Sequence, residues 1–260
     1  MSRIAYVNGR FLPHDSASIH IEDRAMQFGD GVYEVLAVVD GELIDSKLHY
    51  ERLLRSLSAL KMEIPVRPAV LHLTLQEVIR RNRISEGICY LQITRGSCPR
   101  NHVFPTNVCH SLVVTARRSR PVSGAESTQG VRVITTADLR WHRRDIKSVS
   151  LLPNVLAKQS AAEVDAFEAW LVNKNGIVTE GSHSNAWIII GNGTIITHPE
   201  SVDILSGVTR NRILAIAREN TIAVKERKFS VEEAKEAREA FLTSTSSFVV
   251  PVIQIDDAVV

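Results

Sequence analysis

Hydrophobic and polar positions alternate in short runs in the amino-terminal part of the chain, a pattern that predicts strands joined by tight turns. Asn8-Gly9 and Asp40-Gly41 each separate two such runs. Both dipeptides tolerate the positive φ angles that a two-residue hairpin turn requires. We therefore expect two early hairpins. Their strands span residues 4–7, 11–12, 33–39 and 42–45.

Helical spacing replaces this alternation further along the chain. Leucines that recur every three or four residues predict one helix. They are Leu53, Leu54, Leu57 and Leu60. Pro68 predicts the start of a second helix, because the first helical turn makes no use of the N–H that proline lacks. That helix reaches the basic residues 80–83, and strands are expected at 88–94 and 108–116.

The polar segment 117–130 (RRSRPVSGAESTQG) has no periodicity, which indicates a connection between domains. Beyond it we expect helices at 153–167 and 209–220, and a capping box in which Ser230 precedes Glu233. Strands are expected at 131–137, 169–172, 177–179, 186–190, near 241 and at 249–255.

Hairpin signals such as Lys174-Asn175-Gly176 are too frequent for a doubly wound parallel sheet. The pattern therefore predicts an α+β protein of two domains. A small N-terminal α/β domain would span 1–118, a linker 119–130 and a larger C-terminal domain 131–260.

Composition narrows the class of protein. The chain has 260 residues, with 44% hydrophobic and 23% charged positions, as is usual for a globular enzyme. A net charge of +2 gives no general attraction to nucleic acid or acidic membranes. We expect no membrane partner, because no apolar run approaches membrane-spanning length and the start lacks a signal-peptide core. Three cysteines without metal-ligand spacing indicate a reducing compartment, and the cytoplasm is the expected location.

Common catalytic motifs are missing from the sequence: His-Glu-x-x-His, Gly-x-Ser-x-Gly and Gly-x-Gly-x-x-Gly. The first weaker candidate is Lys147, which follows a strand and precedes a helix. It is either a solvated lysine or a Schiff-base lysine, whose amine needs a lowered pKa. Nearby positive charge on Arg143 and Arg144 would help, unless both point to solvent.

The second candidate is Glu180, a carboxylate at a strand end before a glycine, which is either placed in a cleft or is an ordinary turn residue. The third is the helix entry 206–210, since a helix N-terminus binds phosphate readily. Thr209 is alternatively a simple N-cap without a ligand. Hydroxyl residues at 243–247 would add phosphate donors.

Eight collinear segments together resemble the fold-type IV pyridoxal-phosphate enzymes, and most closely their D-amino-acid aminotransferase branch. The resemblance covers nearly the whole chain, from Tyr6 to about Asp256. The segments lie at 22–34, 49–53, 94–102, 145–148, 156–159, 178–182, 205–210 and 243–245. The resemblance implies two domains, the larger with a β-barrel-like mixed sheet, and a homodimer with shared active sites.

The resemblance also implies a catalytic role for Lys147 and a cofactor role for Glu180. Lys147 would hold the cofactor, pyridoxal 5′-phosphate, as an internal aldimine. Once displaced, it would carry out the 1,3-proton shift between the substrate Cα and the cofactor C4′. Glu180 would keep the pyridine nitrogen protonated, so that the ring accepts electrons. Residues similar to those of the phosphate cup and ring face are Arg52, Val208, Thr209, Thr245 and Leu205.

A set of residues resembles the family's substrate site. Tyr33, Arg100 and His102 would bind the substrate α-carboxylate, with Arg100 and His102 coming from the neighbouring subunit. A planar guanidinium suits a bidentate grip on a carboxylate. Arg100-x-His102 favours the D-amino-acid branch, because a carboxylate held on one side lets only one enantiomer direct its Cα–H at the lysine. Ser182 and His183 would complete this site.

Departures from the family pattern concern specificity and the end of the chain. His183 stands where a small hydroxyl residue is common, and its ring would narrow the pocket. Ser206 replaces a more usual lysine, and we expect it at the surface. Related enzymes continue beyond the position of Val260 through another strand and helix, so the larger domain is expected to lack them.

Three groups of alternatives remain open from sequence. Within the same fold, the chain is alternatively a branched-chain L-amino-acid aminotransferase, an (R)-amine transaminase or an aminodeoxychorismate lyase. The leading hypothesis is transamination between a D-amino acid, such as D-alanine or D-glutamate, and a 2-oxo acid. A nucleic-acid-binding module would use the arginine clusters at 80–83, 117–120 and 140–144. The balanced charge argues against it, as it does against any nucleic-acid partner. A cofactor-free structural relative is opposed by the presence of both Lys147 and Glu180.

Overall fold

A computed structural model describes residues 3–119 and 129–260 of the chain. The predicted linker falls mostly on residues 120–128, which lie outside the described residues. The described chain forms two compact units. The first contains residues 3–119 together with Ile146–Ser150, and the second contains residues 129–145 together with Leu151–Val260. Lys147 therefore belongs to the first unit by its contacts.

The first unit is built on an antiparallel sheet. Its strands are β1 (Ile4–Val7), β2 (Arg10–Pro13), β3 (Gly31–Val39), β4 (Glu42–Leu43), β5 (Gly87–Thr94) and β6 (Ser111–Arg118). Among the described residues their order is β2-β1-β6-β5-β3-β4. Both predicted hairpins are confirmed, with φ of 46° at Asn8 and 51° at Asp40. Strand β6 begins at Ser111, so the start predicted at residue 108 was wrong.

The helices of this unit are α1 (Arg24–Phe28), α2 (Ser46–Ala59) and α3 (Pro68–Asn82). Helices α2 and α3 pack against the sheet and share its hydrophobic core. The leucine spacing is confirmed as helix α2, in which Leu53 and Leu57 are buried and Leu54 is exposed. Alternate residues of β3, beginning with Val32, point into the same core. Strand parity thus decides which side chains of β3 lie under the helices.

The second unit is built on a mixed sheet. Its strands are β7 (Val131–Ala137), β8 (Glu168–Val172), β9 (Val178–Gly181), β10 (Asn185–Ile189), β11 (Ile195–Thr197), β12 (Val224–Glu226), β13 (Glu239–Ser244), β14 (Phe248–Ile255) and β15 (Ala258–Val259). Their order is β12-β11-β10-β13-β14-β7-β8-β9, with β15 paired to β14. Parallel pairs occur at β7–β8, β7–β14 and β11–β12. The predicted α+β class is confirmed.

Helices of the second unit are α4 (Leu152–Ala162), α5 (Val208–Glu219) and α6 (Val231–Lys235). The end predicted for α4, residue 167, was wrong, because Asp165 turns the chain at a φ of 56°. Ser230 is confirmed as the N-cap of α6, since its hydroxyl accepts the Glu233 N–H at 3.1 Å, while the Glu233 carboxylate pairs with Arg227. Within residues 3–119 and 129–260, no helix is both long enough and apolar enough to cross a bilayer.

Candidate active site

The backbone of Lys147 is fixed by two elements of the first unit. Its carbonyl accepts the N–H of Tyr33 on β3 at 3.0 Å, and its own N–H donates to the Ser56 hydroxyl on α2 at 3.2 Å. Neighbouring Ser148 forms a bridge with Val32. The segment Ile146–Ser150 therefore runs beside β3, and this pairing determines where the lysine side chain leaves the backbone.

Two of the predicted site residues, Lys147 and Tyr33, lie together. The Lys147 Nζ is 4.2 Å from the centroid of the Tyr33 ring, a cation–π geometry. Tyr33 in turn stacks on Tyr90, with 5.7 Å between ring centroids. The amine thus lies against an aromatic face of the sheet.

The positive charges suggested as neighbours of the lysine are compensated by carboxylates of the second unit. Arg143 pairs with Asp145 at 2.9 Å. Arg144 pairs with Asp203 at 3.0 Å and with Asp138 at 3.3 Å. These guanidinium groups therefore stabilise their own loop.

Arg52, predicted for the phosphate cup, is buried on α2 and grips Glu34 with two hydrogen bonds of 2.8 and 2.7 Å. His49 Nδ1 lies 2.7 Å from the same carboxylate. Burial raises the pKa of Glu34, but Arg52 and then His49 outweigh burial and lower it to about 2. Burial also lowers the pKa of His49, while Glu34 opposes that effect. Glu34 is therefore an anion that orients the Arg52 guanidinium.

Sequence reasoning assigned Glu34 no role, although a signal was present. It lies on the core face of β3, between Val32 and Leu36, where a charge needs a buried partner.

Arg100 and His102 are both exposed on the loop between β5 and β6, and the structure brings them together. The Arg100 Cζ lies 4.7 Å from the centroid of the Phe28 ring, and the His102 ring lies 5.1 Å from it. One aromatic ring of α1 thus supports both members of the predicted carboxylate site.

Glu180 is buried on β9 and is surrounded by donors of the second unit. Its carboxylate accepts from the Arg140 guanidinium, from Asn185 Nδ2 at 3.0 Å and from the Leu205 N–H at 3.1 Å. Burial raises the pKa of Glu180, while Arg140 and then the Leu205 N–H act in the opposite direction. The Leu205 N–H is shared between the two oxygens, at 3.1 Å from each, so both oxygens of Glu180 are held in place.

Arg140 and Asn185 were missed by sequence reasoning. Arg140 is itself held by Asp138, through Nε at 2.9 Å and Nη2 at 2.8 Å. Burial raises the pKa of Asp138, but the hydrogen bond and charge of Arg140, with Thr179 and Arg144, together outweigh burial and lower it. Arg140 lies 40 positions before Glu180, so spacing along the chain gave no signal for it, whereas Asn185 lies five positions after Glu180, at the start of β10.

Residues 205–209 form the entry to α5. Gly207 is the N-cap, and no side chain caps the helix. The alternative of Thr209 as N-cap was therefore wrong. A Cβ at Gly207 would lie 2.0 Å from Asn185 Oδ1, so only glycine fits. Asn185 also donates to the Leu205 carbonyl at 3.0 Å and thereby joins this entry to Glu180.

Ser206, within this helix entry, and Thr245, on another turn, are two further residues considered from the sequence. Ser206 is buried and accepts from Asn211 at 3.1 Å, so the surface position expected for it was wrong. Thr245 is half-buried in the turn between β13 and β14, and β13 pairs with β10 so that Thr243 faces Asn185.

Ser182 and His183 lie over a buried carboxylate that sequence reasoning missed, Glu168 on β8. The Ser182 hydroxyl donates to one oxygen of Glu168, and the Ser184 hydroxyl donates to the other at 2.9 Å. His183 Nδ1 lies 2.7 Å from Glu168, and its side chain is 42% exposed. Glu168 thus holds the turn that follows Glu180.

The family profile "Amino-transferase class IV" matches residues 31–255. The chain is 41% identical over 251 residues to a D-alanine aminotransferase of Staphylococcus epidermidis, covering 96% of this chain and 88% of the relative.

Two solved structures share the fold along the whole chain. A branched-chain aminotransferase of the archaeon Thermoproteus uzoniensis, with norvaline, has a TM-score of 0.89 at 27% identity and covers 100% of this chain and 89% of its own. A second branched-chain amino acid aminotransferase, with pyridoxamine 5′-phosphate, has a TM-score of 0.92 at 26% identity, with 100% and 88% covered. Since the profile spans most of the chain and relatives match along nearly all of it, the chain belongs to the class IV aminotransferases, which are pyridoxal-phosphate enzymes.

Proposed function

We propose that the protein transfers the amino group of a D-amino acid, such as D-alanine, to a 2-oxo acid. The observation that carries the choice of enantiomer is the 41% identity over 251 residues to a D-alanine aminotransferase. Arg100 and His102, both supported on Phe28, agree with it, since they supply cationic and hydrogen-bonding groups for a carboxylate.

The residues present fit pyridoxal 5′-phosphate. When bound, this cofactor supplies an aldehyde that condenses with amines and a pyridine ring that takes up electrons from the substrate Cα. Glu180 is a buried carboxylate whose orientation is fixed by Arg140, Asn185 and the Leu205 amide, and a carboxylate beside the ring nitrogen would keep that nitrogen protonated. The uncapped N-terminus of α5 suits a phosphate dianion.

In this proposal Lys147 would hold the cofactor through Nζ and, once the substrate amine has displaced it, the free amine would move a proton at the substrate Cα. Its fixed backbone limits the positions that Nζ reaches. By the family resemblance, Arg52, Thr209, Thr245 and the Val208 amide would hold the phosphate, and Leu205 would pack on the ring. Tyr33 would bind the α-carboxylate together with Arg100 and His102 of the neighbouring subunit, and Ser182 and His183 would border the substrate side chain.

We also propose a homodimer, because the first unit exposes large apolar side chains near the Arg100 loop. Ile21, Met26 and Val103 are 74%, 71% and 72% exposed. Large apolar side chains that form a contiguous exposed patch mark association surfaces. A cytoplasmic location is proposed as well, and the cysteines of the described chain are all free thiols, which suits a reducing compartment.

The test is transamination by purified protein loaded with pyridoxal phosphate. D-alanine with 2-oxoglutarate should yield pyruvate and D-glutamate, and L-alanine should not react. Lys147→Ala should abolish turnover and prevent covalent attachment of cofactor after borohydride reduction. Inactivity toward every D-amino acid, with turnover of L-leucine, would instead favour a branched-chain L-amino-acid aminotransferase.

A further inference from the structure

The loop between β5 and β6, which carries Arg100 and His102, is joined to the rest of the first unit by two buried arginines. Arg24 on α1 donates from Nη1 to the carbonyl of Asn101, the residue between them. Arg95, at the start of the loop, places its Cζ 3.7 Å from the centroid of the Phe104 ring. Both arginines are only 3% exposed.

A single carboxylate fixes both guanidinium groups. Asp30 Oδ2 accepts from Arg24 Nε and from Arg95 Nε, each at 2.7 Å. Burial raises the pKa of Asp30, but the hydrogen bonds from Arg95 and Arg24 outweigh it and lower the pKa. Arg95 also donates to the Leu60 carbonyl at 2.7 Å, just beyond the end of α2. We call Arg24, Asp30 and Arg95 the Asp30 cluster.

Phe28 links the Asp30 cluster to the exposed side chains. The Arg24 Cζ lies 4.7 Å from the Phe28 ring centroid, as does the Arg100 Cζ. The His102 ring is tilted by 58° on the same ring at 5.1 Å. Arg24 therefore contacts both the aromatic support of Arg100 and the backbone beside it.

We propose that the Asp30 cluster and Phe28 are positioning residues, which preset Arg100 and His102 for binding the substrate α-carboxylate. This inference rests on the proposed function, in which Arg100 and His102 bind that carboxylate. An exposed arginine on an irregular loop loses conformational freedom when it binds a ligand, and that loss weakens binding. A loop held by buried guanidinium groups, with both side chains resting on one ring, has lost much of that freedom beforehand.

The decisive variant is Phe28→Leu, which removes the aromatic support but no charge and no hydrogen bond. A second variant, Arg24→Lys, keeps the charge but lacks the forked guanidinium that reaches both Asp30 and the Asn101 carbonyl. Glu77→Gln is the matched control, because Glu77 also pairs with two arginines, Arg80 and Arg81, but on the surface of α3.

The experiment uses the holoenzyme with D-alanine and 2-oxoglutarate, and with propionate as a competing carboxylate without an amino group. Phe28→Leu and Arg24→Lys should raise the KM for D-alanine and the inhibition constant of propionate by roughly 10-fold. They should change kcat by less than about 3-fold, as expected for loss of binding that is equal in the ground and transition states. Glu77→Gln should leave all three values unchanged.

The variant Arg100→Ala distinguishes the proposed carboxylate site from the proposed positioning role. If it raises the KM while Phe28→Leu and Arg24→Lys leave both binding constants at the wild-type values, the positioning role is overturned and the carboxylate site stands. If Arg100→Ala itself leaves the KM unchanged, the carboxylate site falls and the positioning role with it. The positioning role would also be overturned if Phe28→Leu and Arg24→Lys lowered kcat without raising the inhibition constant of propionate.

Discussion

His183 Nδ1 lies 2.7 Å from Oε2 of Glu168, a carboxylate of β8 that is fully shielded from solvent. Burial raises the pKa of Glu168, but His183 and then Ser182 outweigh burial and lower it to about 2. The oxygens also accept the backbone N–H groups of Ser182 and His183, at 3.2 and 3.3 Å. The conformation of this turn, directly after Glu180, therefore depends on an ionised Glu168.

Glu168→Gln tests that dependence through acid stability. The folded-state pKa of about 2 lies below the ordinary 4.5, so the stabilisation is complete above pH 4.5 and is lost as the pH falls toward 2. The variant should unfold at pH 7 with a free energy lower by roughly 3 kcal/mol. Denaturant titrations between pH 7 and pH 3 measure this. An equal loss of stability on acidification in wild type and variant would contradict the prediction.

His183→Ser tests whether the imidazole limits the size of the substrate side chain. Removing the ring should widen the site and raise kcat/KM for D-phenylalanine relative to D-alanine by about 10-fold, the scale of a small volume change in a pocket. Steady-state kinetics with both donors measure the ratio. His142→Ser, at an exposed loop position of the same unit, is the control. If the ratio of kcat/KM between D-phenylalanine and D-alanine is unchanged, His183 stabilises the turn after Glu180 but does not limit the substrate side chain.

Glu180→Gln tests the role of the buried carboxylate beside Arg140. A neutral amide no longer favours a proton on the pyridine nitrogen, so kcat should fall by roughly 10²-fold, whereas the cofactor should remain bound. Turnover and the absorption of the bound cofactor are measured together. A variant with wild-type kcat would remove Glu180 from the proposed chemistry.

Local signals predicted most of the elements, and long-range pairing explains the rest. The turns at Asn8-Gly9 and Asp40-Gly41 and the helix start at Ser230 were predicted correctly, because each depends only on residues that are neighbours in sequence. The end of α4 failed because Asp165 takes a left-handed conformation that only the return to β8 requires. The hydrophobic periodicity of a helix carries no information about where the chain turns back to a strand.

The candidate site shows the same division between residues that the sequence predicted and residues that only long-range contacts reveal. Lys147 and Tyr33 were proposed by resemblance, and the structure places them in contact. The residues that hold Glu180 and His183 were missed, because Arg140 bonds Glu180 across 40 positions and Glu168 bonds His183 across 15. Strand parity was the only available clue, since an acid at a core position of an apolar strand needs buried partners.

Glu34→Gln tests whether the Glu34 anion prepares Arg52 for the cofactor phosphate. The amide cannot replace the bidentate contact at 2.8 and 2.7 Å, so the buried guanidinium loses both its orientation and its counter-charge. We expect the dissociation constant for pyridoxal phosphate to rise by about 10-fold, the cost of roughly 1.4 kcal/mol. We also expect the free energy of unfolding at pH 7 to fall by about 3 kcal/mol.

Glu51→Gln is the control for this change, because Glu51 adjoins Arg52 on α2 but is exposed and pairs only at 4.0 Å with Lys47. Titration of the apoprotein with cofactor, followed by absorbance, gives the dissociation constants of both variants. If Arg52 bound phosphate without help from Glu34, the stability of Glu34→Gln would fall while its cofactor affinity stayed at the Glu51→Gln value. If the buried pair prepares Arg52 for phosphate, both the stability and the cofactor affinity should fall in Glu34→Gln, and neither should fall in Glu51→Gln.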